Sequence, residues 1–443
     1  MMRSFLAIGF VFVFHFSFSQ EEISLEQVVA LALERNYGVL VAKNTAEAAK
    51  TDNDYAFGAF IPQVNVVGST VWNSNDQALR FEDENRNNSG KAESNNITAT
   101  AQLQWTLFDG TRMFATRERI AAIASQGELL VKDQMVNTIA AVATNYFDIV
   151  RQKQQLRAIQ EQMAVNEERV KLADRKLAVG MGAKPELLQA RVDYNEQRTQ
   201  ALQQQALITQ LKDQLNAQVG LQLPAQYDVP DTIIIDLNLH REEIENNIDN
   251  TNYTLQLSRQ EIGISSLALR ERKAELLPFL NFNAAYNYSR TDNTRLINPF
   301  APIFNQSDGY NYGFTVNVPI LNGFNQRRLV QQARINIRRQ QILYDQAKAD
   351  VNVALQNAFV NYDNAKEILL VEEENILFAK ENVSIALETF KRGATTFVEL
   401  RTAQQSLADA YTRLINARYL AKIAEIELLR LNGGLLAETP SGK

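Results

Sequence analysis

The chain has 443 residues, a formal net charge of −6, two histidines and no cysteine. The lack of cysteine excludes disulfides, thiolate metal sites and a lipid-modified N-terminal cysteine. The mildly acidic balance argues against a nucleic-acid partner.

The first residues predict a secretory signal peptide. Arg3 is the only charged residue before an apolar run at 5–18, and small residues at 17 and 19 precede Gln20. Because this run is too short to span a membrane, we expect residues 1–19 to be cleaved from the exported protein. A retained N-terminal anchor is the alternative.

An internal repeat organises the rest of the chain. Three glycines recur after 213 residues, and an Asn-Tyr pair and a proline recur after 216: Gly110/Gly323, Gly180/Gly393, Gly220/Gly433, Asn36/Asn252, Tyr37/Tyr253 and Pro62/Pro278. We therefore predict a first repeat at 20–220, an inter-repeat linker at 221–240, a second repeat at 241–434 and a C-terminal tail at 435–443.

Each repeat is predicted to contain a helix, two strands, a long helix and a shorter return helix. The proline-free stretches 111–178 and 324–391 predict uninterrupted helices of about 100 Å at 1.5 Å per residue. In the first repeat the other elements are a helix at 24–59 broken near Gly38, strands at 63–73 and 97–110, a polar loop at 74–95 and a return helix at 186–219. Their counterparts are 241–277, 279–289, 310–323, 290–309 and 399–432.

The second return helix has the most regular hydrophobic pattern in the chain. Its apolar residues step by three and four from Leu400 to Leu431, which indicates knobs-into-holes packing. The return helices have only half the length of the long helices. We therefore expect the first helix of each repeat to lie end to end with the return helix, and the linker to form a small belt around the helices.

The strands alternate between an apolar and a polar face. The apolar set is rich in aromatic residues, as the lipid-facing girdles of membrane barrels are. Four strands cannot close a barrel alone, whereas eight strands from a dimer or twelve from a trimer could. The alternative is a soluble sandwich. The uncharged polar set predicts a barrel lining without strong ion selection: Thr98, Thr100, Gln102, Gln104, Asn281, Asn283, Asn311, Thr315 and Asn317.

Several motifs resemble those of the TolC-like outer membrane efflux proteins. They are the strand entries "IPQ" and "LPF", the strand-to-helix turns "LFDG" and "ILNG", and the helix tips "VGMGAKPELLQAR" and "FKRGATTFVELRTAQQSLADAYTRLINARY". The resemblance covers essentially the whole mature chain. It implies a mainly α-helical homotrimer with a twelve-stranded outer-membrane β-barrel, continued by a twelve-helix α-barrel in the periplasm.

The same resemblance implies partners and sites. The partners would be a periplasmic adaptor, an inner-membrane pump of the RND or ABC type, and outer-membrane lipid. The turns Val179-Gly180-Met181 and Arg392-Gly393-Ala394 would contact the adaptor, although each is also an ordinary helix turn that needs glycine. Asp109-Gly110 and Asn322-Gly323 would join barrel to tunnel. Glu399 would form a carboxylate ring at a periplasmic gate, or it would be a solvated glutamate in a first helical turn, where the helix dipole favours it.

Catalysis has little support in the sequence. His240 is the only histidine of the mature chain, and no nucleophile elbow, phosphate loop or metal-ligand spacing occurs. We therefore expect no enzyme activity, no cofactor and no metal site. The predicted function is a passive export duct for small molecules or polypeptides. A secreted coiled-coil structural or adhesive protein is the rival interpretation, but it leaves the four strands unexplained.

Overall fold

The fold is mostly helical, with one four-stranded sheet. The computed structural model describes residues 21–224, 227–392 and 394–436, so the predicted signal peptide, Gly393 and most of the predicted tail lie outside the described residues. In chain order the elements are β1 (Glu21–Glu22), α1 (Leu25–Arg35), α2 (Tyr37–Asp54), β2 (Gln63–Leu79), β3 (Asn88–Phe108), α3 (Arg112–Ala178), α4 (Lys184–Gln218), β4 (Tyr227–Asp228), α5 (Arg241–Thr251), α6 (Tyr253–Ala274), β5 (Phe279–Arg295), β6 (Phe304–Asn317), α7 (Asn325–Lys391) and α8 (Phe397–Leu431).

The chain divides into two units, which we call the helical unit and the sheet unit. The helical unit comprises the described parts of Met1–Ala42, Val131–Tyr253 and Ala349–Lys443, and the sheet unit comprises Lys43–Leu130 and Thr254–Lys348. The predicted helix–strand–strand–long helix–helix order occurs twice. The long helices α3 and α7 have 67 residues each, with ends within one residue of the predicted ones.

The predicted heptad seam of α8 is buried. Nine of its ten positions are buried and Leu407 is half-buried. Ala410, Leu414, Ala417 and Ala421 pack with residues of α7 in one apolar cluster. Half of the seam positions are Ala, and this small side chain lets the backbone of the neighbouring helix approach closely.

An asparagine interrupts the first helix of each repeat. Asn36 separates α1 from α2, two residues before the predicted break, and its Nδ2 donates to the Gln218 carbonyl at the end of α4 (2.7 Å). Asn252 separates α5 from α6, where we predicted an unbroken helix, and it donates to the Leu431 carbonyl of α8 (2.9 Å). The return helices thus end against these breaks, as the end-to-end arrangement predicts. An Asn side chain that donates to the end of another helix favours a break in its own helix. Because this hydrogen bond is a tertiary contact, the local sequence does not predict the break.

The linker packs against the helices of the helical unit, as expected for a belt. Its short strand β4 pairs in parallel with β1. Lys153 of α3 donates to Asp228 Oδ2 (2.6 Å) and to the Val229 carbonyl (2.7 Å). Buried Glu425 of α8 accepts from the Asp236 backbone N–H over 3.0 Å.

The sheet unit contains an antiparallel sheet with strand order β2-β3-β5-β6. Its strands have 14 to 21 residues and extend into both segments predicted to be loops, 74–95 and 290–309. The polar residues of these segments predict loops, but in the structure their side chains form hydrogen bonds with one another across neighbouring strands. Thr70 donates to Asn95 (3.1 Å) and Asn73 to Ser94 (3.3 Å). No helix in the described part of the chain combines the length and apolarity needed to cross a membrane.

Candidate functional site

The register places all nine predicted lining residues on one face of the sheet, which we call the polar face. Gln104 pairs with Asn283, and Asn281 pairs with Thr315. Thr98, Thr100 and Gln102 share the face of Gln104 by strict alternation on β3, and Asn311 and Asn317 share that of Thr315 on β6. The face is therefore continuous across three strands.

Cross-strand hydrogen bonds connect the polar face. Ser69 and Thr98 hydroxyls lie 2.9 Å apart, Thr100 donates to Asn287 over 3.2 Å, and Asn287 donates to Asn311 over 2.8 Å. Asn283 donates to Thr315 over 3.2 Å. Amide and hydroxyl groups that bond one another along the ladder form a neutral hydrophilic surface with spare donors and acceptors for water.

The opposite face is apolar and carries the aromatic residues. Trp105 pairs with Phe282, which pairs with Phe314, and Tyr286 pairs with Tyr310. The rings of Phe282 and Phe314 lie 5.2 Å apart. Strict alternation along 97–110 predicts that Leu107 lies on this apolar face, and that detail is wrong. The register shifts between Thr106 and Phe108, so Phe108 rather than Leu107 pairs with Leu280. The extra residue of a bulge reverses the facing of the later residues in the strand.

The first strand-to-helix turn needs its glycine. Gly110 has φ +72°, and Thr111 after it has φ +74°. A Cβ on Gly110 would clash with the carbonyl oxygen of Ala274 and lie 2.7 Å from Leu277 Cβ. The Asp109 carboxylate accepts from the Met113 backbone N–H over 3.1 Å. This bond satisfies one donor of the first turn of α3, so the Asp109 side chain caps the helix.

The second turn repeats the backbone path in open space. Gly323 and Phe324 have φ +64° and +63°. Nothing lies within 4 Å of a Cβ built on Gly323. The Asn325 N–H donates to the backbone carbonyl of Asn322 over 3.3 Å, so the backbone closes this turn. The two turns share a conformation and differ in their surroundings.

The first predicted adaptor contact forms a tight helix end with exposed apolar side chains. The Met181 N–H donates to the Lys176 carbonyl over 2.9 Å, and Gly180 has φ +74°. This is the glycine-ended helix stop expected from the sequence. Val179 is 69% exposed and Met181 is 82% exposed. A pair of projecting apolar groups at a helix tip is suited to protein contact.

At the second tip the carboxylate of Glu399 acts as a helix cap. Ala394 donates its N–H to the Thr389 carbonyl over 2.9 Å and is exposed, as is Arg392. Thr396 begins α8 in a capping box with Glu399, with bonds of 3.2 and 3.3 Å in the two directions. The carboxylate also accepts from the Thr395 hydroxyl. The contacts of Glu399 in this structure are therefore those of a glutamate in a first helical turn, with a capping box as an additional finding.

Three helices meet at a buried charged cluster that the sequence analysis missed. Asp193 of α4 is 7% exposed. Its carboxylate accepts from Arg169 of α3 (3.3 Å) and Arg401 of α8 (3.1 Å). Arg169 also donates to Gln404 of α8 over 3.3 Å and lies over the Phe397 ring at 4.5 Å. Burial lowers the pKa of the Arg169 guanidinium, and Asp193 opposes that shift. The Asp193 cluster links the first-repeat hairpin to the return helix of the second repeat.

The sequence contains one signal for this cluster. At the repeat spacing of 213, Asp193 corresponds to Ser406 and Arg401 to Leu188. Charges without counterparts in the other repeat mark positions where the copies have acquired different roles. Periodicity alone does not reveal them, because it locates buried apolar positions, whereas Asp193 is a buried charge.

Comparisons with known proteins agree with this architecture. The family model of the outer membrane efflux proteins matches residues 28–221 and 247–434. Similar solved structures include CusC (TM-score 0.75, 15% identity, 93% of this chain and 92% of that chain), VceC from Vibrio cholerae (0.72, 14%, 92% and 96%) and the CmeC outer membrane channel of Campylobacter jejuni (0.74, 16%, 93% and 85%). No curated protein matches the sequence significantly. The chain belongs to the outer membrane efflux protein family, which confirms the resemblance noted from its motifs.

Proposed function

We propose that this member of the outer membrane efflux protein family is the exit duct of a tripartite export system. Three copies form a twelve-stranded barrel in the bacterial outer membrane, and their helices continue it as a tunnel into the periplasm. The duct passively conducts small molecules, or a secreted polypeptide, from an inner-membrane pump of the RND or ABC type. It has no catalytic role.

The open sheet with two different faces carries this proposal. β2 and β6 are the edges of the sheet, and each has a partner on one side only. In a bilayer, unpaired backbone groups cost several kcal/mol each, so the edges must pair with other copies. The aromatic face then meets lipid and the polar face lines the pore. Because the polar face lacks charge, cargo selection would belong to the pump.

The repeat predicts the register between copies. Within the chain, Gln102 of β3 pairs with Ala285 of β5. Moving Gln102 forward by 213 positions gives Thr315 of β6, and moving Ala285 back by 216 positions gives Ser69 of β2. The same shifts convert the Gln63–Gln104 pair into the Phe279–Asn317 pair of the second repeat. Thr315 would therefore face Ser69 of the next copy.

Disulfide trapping tests this assembly directly, because the natural chain has no cysteine. The Ser69→Cys/Thr315→Cys variant should form covalent trimers in oxidised outer membranes, resolved by denaturing electrophoresis. The Ser69→Cys/Asn311→Cys variant is the matched control, since Asn311 lies on the same face four residues away. Equal cross-linking of both pairs, or a soluble monomer, would refute the proposed barrel. Planar-bilayer conductance of the purified trimer tests the pore itself.

The tips are the proposed contacts with the periplasmic adaptor. Val179 and Met181 project from the first tip, whereas Arg392 and Ala394 flank the second. Gly180 lies at the first turn, and Gly393 lies outside the described residues. Replacing Val179 and Met181 by Ser should weaken adaptor binding in a pull-down without changing trimer yield. Unchanged binding would place the adaptor contact elsewhere.

The Asp193 cluster is the proposed lock of the closed tip. It joins helices from both repeats through buried hydrogen-bonded charges, which are costly to separate. Opening a passage at this end requires the hairpins to move apart and therefore breaks these bonds. A gate role for Glu399 remains part of the proposal. Its test needs a variant that keeps the helix cap.

A further inference from the structure

The segment after β6 has an unusual run of positive charge. No acidic residue occurs between Asp308 and Asp345, whereas five arginines do: Arg327, Arg328, Arg334, Arg338 and Arg339. All five are exposed at the start of α7, inside the sheet unit. At 100° per residue, Arg327, Arg334 and Arg338 fall within about 40° of one another. We call these three the arginine stripe.

Among the described residues the stripe has no ion-pair partner, and the fold does not require its charges. None of its arginines forms an ion pair with residues 21–224, 227–392 or 394–436. At the corresponding positions of the first repeat, 213 residues earlier, α3 has Phe114, Ala121 and Ser125. Equivalent helices therefore form without these charges. Three exposed like charges on one helix face repel each other, which favours an anionic ligand at this face.

A band of exposed apolar side chains precedes the stripe. In the isolated chain Ile320 is 91% exposed, Leu321 is 79% exposed and Phe324 is 62% exposed. These residues connect the end of β6 to α7, and the Arg327 guanidinium lies 5.5 Å from the Phe324 ring centroid. An apolar band next to basic residues is the pattern expected at the boundary between acyl chains and headgroups.

The order of the strands can be derived from one hydrogen bond and from the chirality of L-residues. The Asn293 N–H donates to the Ile303 oxygen over 2.8 Å, so it points toward β6. By alternation, Asn293 lies on the polar face of β5. Consider a strand of L-residues drawn with its N-terminus at the bottom. A residue whose side chain points toward the viewer then has its backbone N–H on the right. Seen from the polar face with the helices below, β6 lies to the right of β5.

The stripe therefore lies on the apolar side of the sheet unit. Helix α6 leads into β5 and α7 comes after β6, so the helices have the same order. Asn336 and Tyr344 mark the α6-facing side of α7, through bonds to Ser265 (3.1 Å) and Arg259 (3.4 Å). Residues of a right-handed helix rotate clockwise as the helix runs away from the viewer. At 100° per residue, Asn336 and Tyr344 lie at about 180° and 260° from Arg327, so the stripe lies about 140° clockwise of the α6-facing side. It therefore points away from α6 and into the half of the helix surface that is opposite the polar face.

We propose that the arginine stripe binds the phosphate groups of anionic phospholipids, while Ile320, Leu321 and Phe324 contact their acyl chains. The inference rests on the proposed function, because it needs the aromatic sheet face to lie in a bilayer. Arg327 comes directly after the apolar band, and Arg338 lies about 16 Å further along the helix at 1.5 Å per residue. The contribution to binding should therefore decrease from Arg327 to Arg338.

Native mass spectrometry of the full-length trimer tests the proposal, with phosphatidylglycerol and phosphatidylcholine as probes. The natural protein should bind phosphatidylglycerol at least tenfold more tightly, and Arg327→Gln/Arg334→Gln/Arg338→Gln should abolish this preference. The matched control is Lys132→Gln/Arg175→Gln/Arg198→Gln, which removes three exposed positive charges away from the apolar band. This control should retain the preference.

Three outcomes would overturn the lipid site. They are equal binding of both lipids, an unchanged preference in the stripe variant, and loss of the preference in the control variant. Displacement of the lipid by millimolar inorganic phosphate would instead indicate a site for the free anion. Conductance separates this inference from the proposed function. The stripe variant should still form conducting trimers, whereas a protein that never conducts would refute the duct itself.

Discussion

Replacing Asp193 by Asn should loosen the helix tips and enlarge the open fraction of the channel. The Asp193 carboxylate accepts from Arg169, Arg401 and Gln189 at 2.8 to 3.3 Å. The amide keeps one acceptor oxygen but loses the charge, which leaves the buried Arg169 guanidinium without its counter-charge. Removing one partner of such a pair costs about 3–5 kcal/mol. Because one acceptor remains, we expect a cost at the lower end of that range, about 3 kcal/mol per chain.

Two measurements check this prediction. Planar-bilayer recordings should show more frequent or larger openings, and the trimer should dissociate at a lower temperature. Glu196→Gln is the control, since it removes an exposed carboxylate one turn further along α4. The pair Arg169→Met/Asp193→Leu should recover thermal stability but not closure, because apolar replacement removes the buried charges together with their bonds. Asp193→Asn trimers with natural stability and conductance would refute the role of the cluster.

Three further predictions concern a turn, a buried acid and a cap. Gly110→Ala should destabilise the unassembled chain severely, because its Cβ would clash with the Ala274 carbonyl oxygen. Gly323→Ala should cost the unassembled chain only the left-handed strain of about 1–2 kcal/mol, because nothing lies within 4 Å of its Cβ there. Similar unfolding temperatures of the two unassembled variants would contradict this difference in crowding. Burial raises the pKa of the Glu425 carboxyl. The stability that the protonated carboxyl contributes is therefore full below the ordinary glutamate pKa of about 4.3 and is lost as pH rises through the raised pKa. Glu425→Gln should make the unfolding temperature depend less on pH between these two values. Glu399→Gln keeps the capping box with Thr396 but removes the charge, so increased conductance of this variant would support the gate. If only Glu399→Ala changes the conductance, the cause would be the lost helix cap, which is worth about 1 kcal/mol.

The helical framework could be predicted from sequence because its signals are local and long. The helical signals are a 67-residue stretch without proline and a seam that repeats the same period from Leu400 to Leu431. The observed helix ends therefore differ from the predicted ends by only one or two residues. The breaks at Asn36 and Asn252 were predicted poorly or not at all. Their cause is a bond to the end of another helix, which a local pattern does not contain.

The faces of the strands could also be predicted, since alternation fixes them once a sheet exists. The strand lengths could not. Asn, Ser and Asp are typical of loops, yet Asn73 and Ser94 satisfy each other across the ladder. The Asp193 cluster was missed for a related reason. Its members come from α3, α4 and α8, and only the fold brings them together.

In an isolated chain, one of the two strand-to-helix turns is fully packed and the other is not. Gly110 is enclosed by Ala274 and Leu277 from the second repeat of the same chain. By the repeat spacing, the residues that would enclose Gly323 are Gly58 and Ile61 of another copy. An isolated chain can therefore complete the packing around Gly110, whereas the packing around Gly323 would be completed only when another copy binds. We expect limited proteolysis to cut unassembled chains near Gly323 and to spare Gly110, so that a cell could recognise and remove orphan subunits by this one turn.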